Sequence, residues 1–319
     1  MHKLNKILLH YLLFFICSSG SCLLLGQSRD DTSYSFSIIP DVRITINAPV
    51  NHNANKTIII LYGLPNGNTT EQTMGKKLNE GDDWRYDIQH ILAQTKFVRS
   101  KLRNTNVVVA YLENSFESWP LWKSKHVDHA SIAKRIVDTI YNFISSRQKA
   151  IYLSGHSGGG RLLFSYLDAV STIPAYVERI IFLDSDYGYD SSYLPKLKSW
   201  IEKDKSHYLT VFAYNDSIAL YHGKTFVSAT GGTWYRSHLM LAQLSSFFTF
   251  EKTEDDSLIV LRSKDNHIQF YFKTNPDKKI FHTTQVELNG FIHSVLSGTK
   301  YDSKGYRYFG KRAYSDFIE

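Results

Sequence analysis

The feature that most limits what this chain can fold into is a repeated exchange between two hydrophobic periods. Short β-branched runs, each apolar throughout, alternate with longer stretches whose apolar residues recur at helical spacing. Thr57 to Tyr62 (TIIILY), Asn106 to Leu112 (NVVVAYL), Ala150 to Ser154 (AIYLS), Arg179 to Leu183 (RIIFL) and Tyr208 to Tyr214 (YLTVFAY) read as strands buried on both faces. Between them, Trp84 to Leu102, Ala130 to Ile144, Arg161 to Val170, Leu194 to Ile201 and Ser237 to Phe248 read as helices. Such alternation predicts an α/β class with a mostly parallel central sheet and helices on both faces. Val42 to Ile46 adds an edge strand. Leu258 to Leu261 and Ile268 to Phe272, flanking Lys264-Asp265-Asn266, predict an extra β-hairpin before the last strand, which is read over Ile280 to Glu287. A short helix is expected near His293.

Residues 1–26 have a different character. Lys3 and Lys6 precede an apolar run from Ile7 to Ile16, and small residues follow from Ser18 to Ser21. This is the layout of a cleaved export signal, with an uncleaved membrane anchor as its rival. Residues 27–319 are expected to form one domain, secreted or periplasmic, with no stable membrane insertion after cleavage. Both cysteines, Cys17 and Cys22, lie in the leader. The body therefore has no thiol for a disulfide, a zinc–thiolate site or a cysteine nucleophile. The net charge of +7 is spread over 37 basic and 30 acidic side chains without a basic run, and no nucleic-acid motif accompanies it, so no nucleic-acid partner is expected.

The chemistry concentrates at Leu153-Ser-Gly-His-Ser-Gly-Gly-Gly-Arg161. Gly155, Ser157 and Gly159 form G-x-S-x-G between a buried strand and a helix, the context in which that spacing has a mechanism. A turn this sharp leaves no room for side chains at 155 and 159. It lifts the Ser157 hydroxyl above the sheet edge, over a helix amino terminus whose N–H groups face a developing negative charge. The Gly158 N–H is the natural first oxyanion donor. A phosphate loop would end in Gly-Lys-Ser/Thr, and a dinucleotide fingerprint has different glycine spacing.

In these residues the chain resembles the α/β-hydrolase superfamily over roughly residues 40–300, and within it secreted bacterial serine esterases. The resemblance implies a Ser–acid–His triad in that chain order, with Ser157 as nucleophile. It places the base after the last strand, hence His293, with His238 as competitor and His282 as a packed strand residue. It places the acid after a late strand, hence Asp216, with Asp184 or Asp186 as rivals. It draws the second oxyanion N–H from the loop after Thr57–Tyr62, by position Leu64, although Tyr62-Gly63 stands where many relatives have His-Gly. Trp119, Trp122 and Trp234 follow sheet strands and are candidate substrate-binding residues, with core packing as the alternative. No metal or organic cofactor is expected. The activity implied is hydrolysis of a small-molecule or carbohydrate ester. A serine peptidase on the same fold and a non-catalytic binding protein are the alternatives.

Overall fold

A computed structural model describes residues 31–39, 41–50 and 54–319. The expected export signal over 1–26 lies outside the described residues. In chain order the strands are β1 (Asp31–Ile39), β2 (Val42–Pro49), β3 (Lys56–Gly63), β4 (Thr105–Asn114), β5 (Gln148–His156), β6 (Val177–Leu183), β7 (Tyr208–Tyr214), β8 (Leu220–Tyr221), β9 (Lys224–Thr225), β10 (Phe250–Glu254), β11 (Leu258–Ser263) and β12 (Ile268–Lys273). The helices are α1 (Thr70–Met74), α2 (Ile91–Lys101), α3 (Trp119–Lys125), α4 (His129–Phe143), α5 (Gly160–Ala169), α6 (Leu194–Lys203), α7 (Thr233–Leu244), α8 (Thr284–Glu287) and α9 (Gly290–Leu296).

Ten strands form one sheet in the order β1-β2-β4-β3-β5-β6-β7-β12-β11-β10. From β4 to β12 every neighbouring pair is parallel, and β1, β2, β11 and β10 run antiparallel to theirs. Within it, the order from β1 to β12, with an antiparallel second strand, is that of the α/β-hydrolase fold. The antiparallel β10–β11 pair precedes β12 in the chain and extends the sheet beyond it.

Side-chain alternation explains why the strand runs are apolar throughout. In β3, Ile59 and Leu61 enter one core, while Ile58, Ile60 and Tyr62 enter the other. The first core is closed by α3 to α7, through residues such as Ile136, Leu163, Trp200 and Met240. The second is closed by α2, α9 and the carboxyl-terminal segment, through Ile91, Val98, Phe291, Tyr308 and Tyr314. That terminal segment is held by one side chain in particular. Asn289 Nδ2 donates to the carbonyls of Arg307 and Lys311, both at 2.8 Å, and its Oδ1 accepts the Ala313 N–H at 2.9 Å.

One strand differs from expectation. The last parallel strand is β12, the second arm of the predicted hairpin, and over residues 280–287 a short loop leads directly into α8, with no strand. Asn275-Pro276-Asp277 breaks the extended chain after Lys273. Asn275 then staples the loop, donating to the carbonyls of Asn215 (3.0 Å) and Lys279 (2.7 Å) and accepting the Lys279 N–H (2.9 Å). The change moves the position that follows the last strand, and with it the histidine found there.

Candidate active site

Ser157 stands at the end of β5, where a single 3-10 turn leads into α5. Its φ is +53°, a left-handed conformation rare for a residue with a Cβ. Such backbone strain costs on the order of 1–3 kcal/mol and persists only where the surroundings impose it. They do so here. A Cβ on Gly159 would lie 2.0 Å from the Gly63 carbonyl oxygen, and one on Gly155 would lie 2.8 Å from the Gly159 carbonyl carbon. The strand end, the elbow and the loop after β3 are in backbone contact, as the G-x-S-x-G spacing requires. The first N–H groups of a helical turn, here that of Gly158 among them, have no intrahelical acceptor and are open to an anion.

Ser157 lines a cavity of about 220 Å³ together with Asn66, Trp84, His156 and His282. A larger concavity of about 740 Å³ opens beside Tyr34, Thr57, Asn106 and Phe143, at the amino-terminal ends of β3 and β4. The chemistry-bearing residues are at the carboxyl ends of the strands, where ligands bind in sheets of this kind, so size does not decide between the two.

Two histidines line the cavity with Ser157, and the one bound to a carboxylate is His282. Its Nδ1 hydrogen-bonds Asp184 Oδ2, and its ring lies 4.6 Å from that of His156. Asp184 directly follows β6, is fully buried and also has a positive φ, +48°. The Thr233 hydroxyl donates to its other oxygen, Oδ1. With Nδ1 engaged by a carboxylate, Nε2 is the basic nitrogen of His282. His156 packs behind this pair. Its Nδ1 lies 2.8 Å from the Leu183 carbonyl, and burial, reinforced by the neighbouring His282, holds its pKa well below that of a free imidazole.

His293 is therefore a correction. It lies inside α9, 2% exposed, with Nδ1 3.0 Å from the Tyr306 hydroxyl and its ring packed on Tyr271 and Tyr308. Burial pushes its pKa down to about 4. It was assigned to the site because residues 280–287 read as the last strand. Once β12 takes that place, His282 is the histidine on the following loop. His238 is likewise turned away, in α7, against Phe272 and the Trp234 carbonyl.

Asp216 is the second correction. It follows β7, but it serves the start of α7: Oδ2 accepts the Thr233 N–H at 2.9 Å, and the Trp234 N–H also favours its ionised form. Burial, and then the neighbouring Asp184, nonetheless raise its pKa to about 6. Asp186 is buried as well. Its Oδ2 accepts the Ser237 hydroxyl at 2.8 Å, and burial pushes its pKa well above the carboxylate range. Of the three acids, Asp184 is the one that meets a histidine.

Leu64 cannot supply the second oxyanion N–H, because that N–H already donates to the Leu112 carbonyl at 3.2 Å. The tryptophans are corrected too. Trp119 and Trp122 are each 1% exposed and meet edge to face at 5.1 Å in the core under α3. Burying about 150–250 Å² at about 25 cal/mol/Å² stabilises the fold by about 4–6 kcal/mol per ring, so withdrawing either for a ligand is unfavourable. Trp234 packs on Phe272 and His238. The tryptophan at the cavity is Trp84, 59% exposed, with the Arg85 guanidinium 5.1 Å from its ring and Arg85 Nη1 bonded to Asp83 Oδ2 at 2.8 Å. The sequence reading starts a helix at Trp84, and Trp84 does open a short 3-10 turn, Trp84–Asp87, capped by Asp83 and separated from α2 by a break at 88–90. Tyr62, standing for the usual histidine, donates its hydroxyl to Gln89 Oε1 at 2.9 Å and so ties β3 to the Trp84 loop.

Two cavity walls share one cation. Arg312 donates through Nη1 to Asp87 Oδ1 (2.6 Å) and through Nη2 to the Asp87 carbonyl (2.8 Å) and Glu287 Oε1 (2.7 Å).

No family model matches the chain, and no curated protein matches it. Similar solved structures include poly(aspartic acid) hydrolase-1 from Sphingomonas sp. KT-1, at 12% identity over 68% of this chain and 85% of that one (TM-score 0.38). A siderophore hydrolase from Aspergillus nidulans is 13% identical over 72% of this chain and 83% of its own (TM-score 0.37). A glucuronoyl esterase from Solibacter usitatus is 10% identical over 82% and 80% (TM-score 0.39). At identities and scores this low, the fold assignment rests on the strand order.

Proposed function

We propose that this chain is a serine hydrolase that cleaves a carboxylic ester through Ser157, His282 and Asp184. The observation that carries the reading is the Asp184–His282 pair opening on the same cavity as a serine held at positive φ. In the proposed reaction His282 Nε2 takes the Ser157 proton as Oγ bonds to the acyl carbon, and the carbonyl oxygen becomes an oxyanion beside the Gly158 N–H. Asp184 keeps the imidazole in the required tautomer and stabilises the imidazolium. His282 returns the proton to the departing alcohol. Water, activated by the same nitrogen, then releases the acyl group.

The cavity suggests a small and polar substrate. Its volume lies below the usual range of about 300–1,000 Å³ for drug-sized ligands. Its rim carries an aromatic face in Trp84 with Asn66, Asn68 and Arg85 around it, a set suited to a ring bearing hydroxyl groups, such as an acylated carbohydrate. Export follows from the amino-terminal pattern, and among the described residues no helix is long and apolar enough to cross a membrane.

The test is covalent labelling of purified protein with a fluorophosphonate, followed by a screen of ester and peptide substrates. Labelling of the wild type that disappears in Ser157→Ala is expected. A folded wild type that resists the probe and hydrolyses neither substrate class would refute the reading.

A further inference from the structure

A second oxyanion donor has to come from the loop after β3, and the fate of its N–H groups narrows the choice. The Leu64 N–H is taken by the Leu112 carbonyl, Pro65 has none, and the Gly67 N–H donates to the Glu117 carbonyl at 2.8 Å. The Thr69 N–H is held by Gln72 Oε1 at 3.0 Å, closing the cap of α1. Asn66 differs from these. It lines the Ser157 cavity, and its side-chain amide lies directly over Gly158. A Cβ at 158 would stand 1.9 Å from Asn66 Oδ1, 2.6 Å from Cγ and 3.0 Å from Nδ2. The glycine after the nucleophile thus leaves a space that an amide from the facing loop fills. A half-turn of the amide about Cβ–Cγ exchanges its oxygen and nitrogen, which brings an N–H donor to the same place.

We propose that the Asn66 side chain is a catalytic residue, the second donor of the oxyanion hole, acting with the Gly158 N–H in place of a backbone N–H from the β3 loop. The proposal rests on Ser157 being the nucleophile. As Ser157 Oγ forms its bond to the acyl carbon, the carbonyl π pair moves onto oxygen and the hydroxyl proton passes to His282. Asn66 Nδ2–H donates a hydrogen bond to that oxygen and transfers no proton. The pair returns to re-form the carbonyl when the bond to the leaving alcohol breaks. Asn66 binds charge that exists only after attack, so its loss is felt in kcat more than in KM.

The test compares wild type, Asn66→Ala and Asn66→Asp on 4-nitrophenyl acetate. It also measures their inhibition by a trifluoromethyl ketone, whose adduct with the serine carries the oxyanion. The alanine variant keeps the main-chain N–H at 66, so it separates a side-chain donor from a backbone one. The expected result is a fall in kcat of about 100–1,000-fold, the usual effect of losing one such donor. KM should change little, ketone affinity should fall in parallel, and Asn66→Asp should be at least as damaged. Unchanged kcat and unchanged ketone affinity in Asn66→Ala would overturn the proposal while leaving the Ser157 reading intact. A wild type without Ser157-dependent hydrolysis would overturn both.

Discussion

Replacing Asp216 by Asn separates the two buried acids, and the structure gives both sign and size. Asp216 is 1% exposed, and its pKa is raised from 3.8 to about 6 by burial and by Asp184. Between those values the folded protein binds a proton that the unfolded chain does not. Stability attributable to this group therefore falls as pH rises from about 4 to about 6, and stays low above that. At about 1.4 kcal/mol per pH unit, the penalty of ionising it at pH 8 is about 3 kcal/mol. Asparagine removes that penalty and can still accept the Thr233 N–H, and the favourable interaction of the charged form with the start of α7 is already contained in the net shift. Asp216→Asn should thus be more stable than wild type by about 3 kcal/mol at pH 8 and no more stable at pH 4. Urea melts at the two pH values measure this directly. Ester hydrolysis should survive within about tenfold, whereas Asp184→Asn should lose about 10,000-fold in kcat. A destabilised Asp216→Asn at pH 8, or one as inactive as Asp184→Asn, would refute this account of which acid serves the histidine.

Three further outcomes are expected. His282→Gln should lose about 10,000-fold or more in kcat, while His293→Gln should hydrolyse esters at near the wild-type rate; steady-state kinetics on both decides between them. His293 is held near pH 4 instead of 6.5, chiefly by burial. Below pH 6.5 the unfolded chain takes up a proton that the folded one refuses, so stability falls with acidification by up to about 3 kcal/mol near pH 4. In His293→Gln that acid slope should shrink, as urea melts from pH 7 to pH 4 would show. Trp84→Ala should raise KM for a ring-bearing ester by about 2–10-fold, the worth of one aromatic contact, with kcat little altered.

Most of the sheet was legible because the strands that build it are buried on both faces and carry no polar interruption. The runs at 57–62, 106–112, 150–154, 179–183 and 208–214 all lie within strands of the central sheet. The elbow was legible for a related reason, since only glycine fits at 155 and 159 and only a strand-to-helix turn needs both. The place of His282 on the loop after the last strand was missed through one long-range pairing. Ile280 to Glu287 has the composition of a strand, but the sheet position beside β7 is filled by β12, and no local pattern announces that choice. The acids were ranked the wrong way round from sequence because Asp184 and Asp216 both follow strands. What separates them is where α7 begins, since the N–H of Thr233 claims Asp216. The tryptophans failed for want of distance information: Trp119 and Trp122 follow a strand as pocket residues do, yet α3 turns them under the core.

The double grip of Arg312 makes the width of the cavity a property of the whole carboxyl-terminal strap. Asp87 belongs to the segment that carries Trp84, and Glu287 closes the short helix just past His282. The Trp84 segment and the loop of His282 are thereby moored to one guanidinium, itself anchored by the Asn289 staples. Neither can drift outward alone. The width of the Ser157 cavity is thus set in part at position 312, far along the chain from the serine itself.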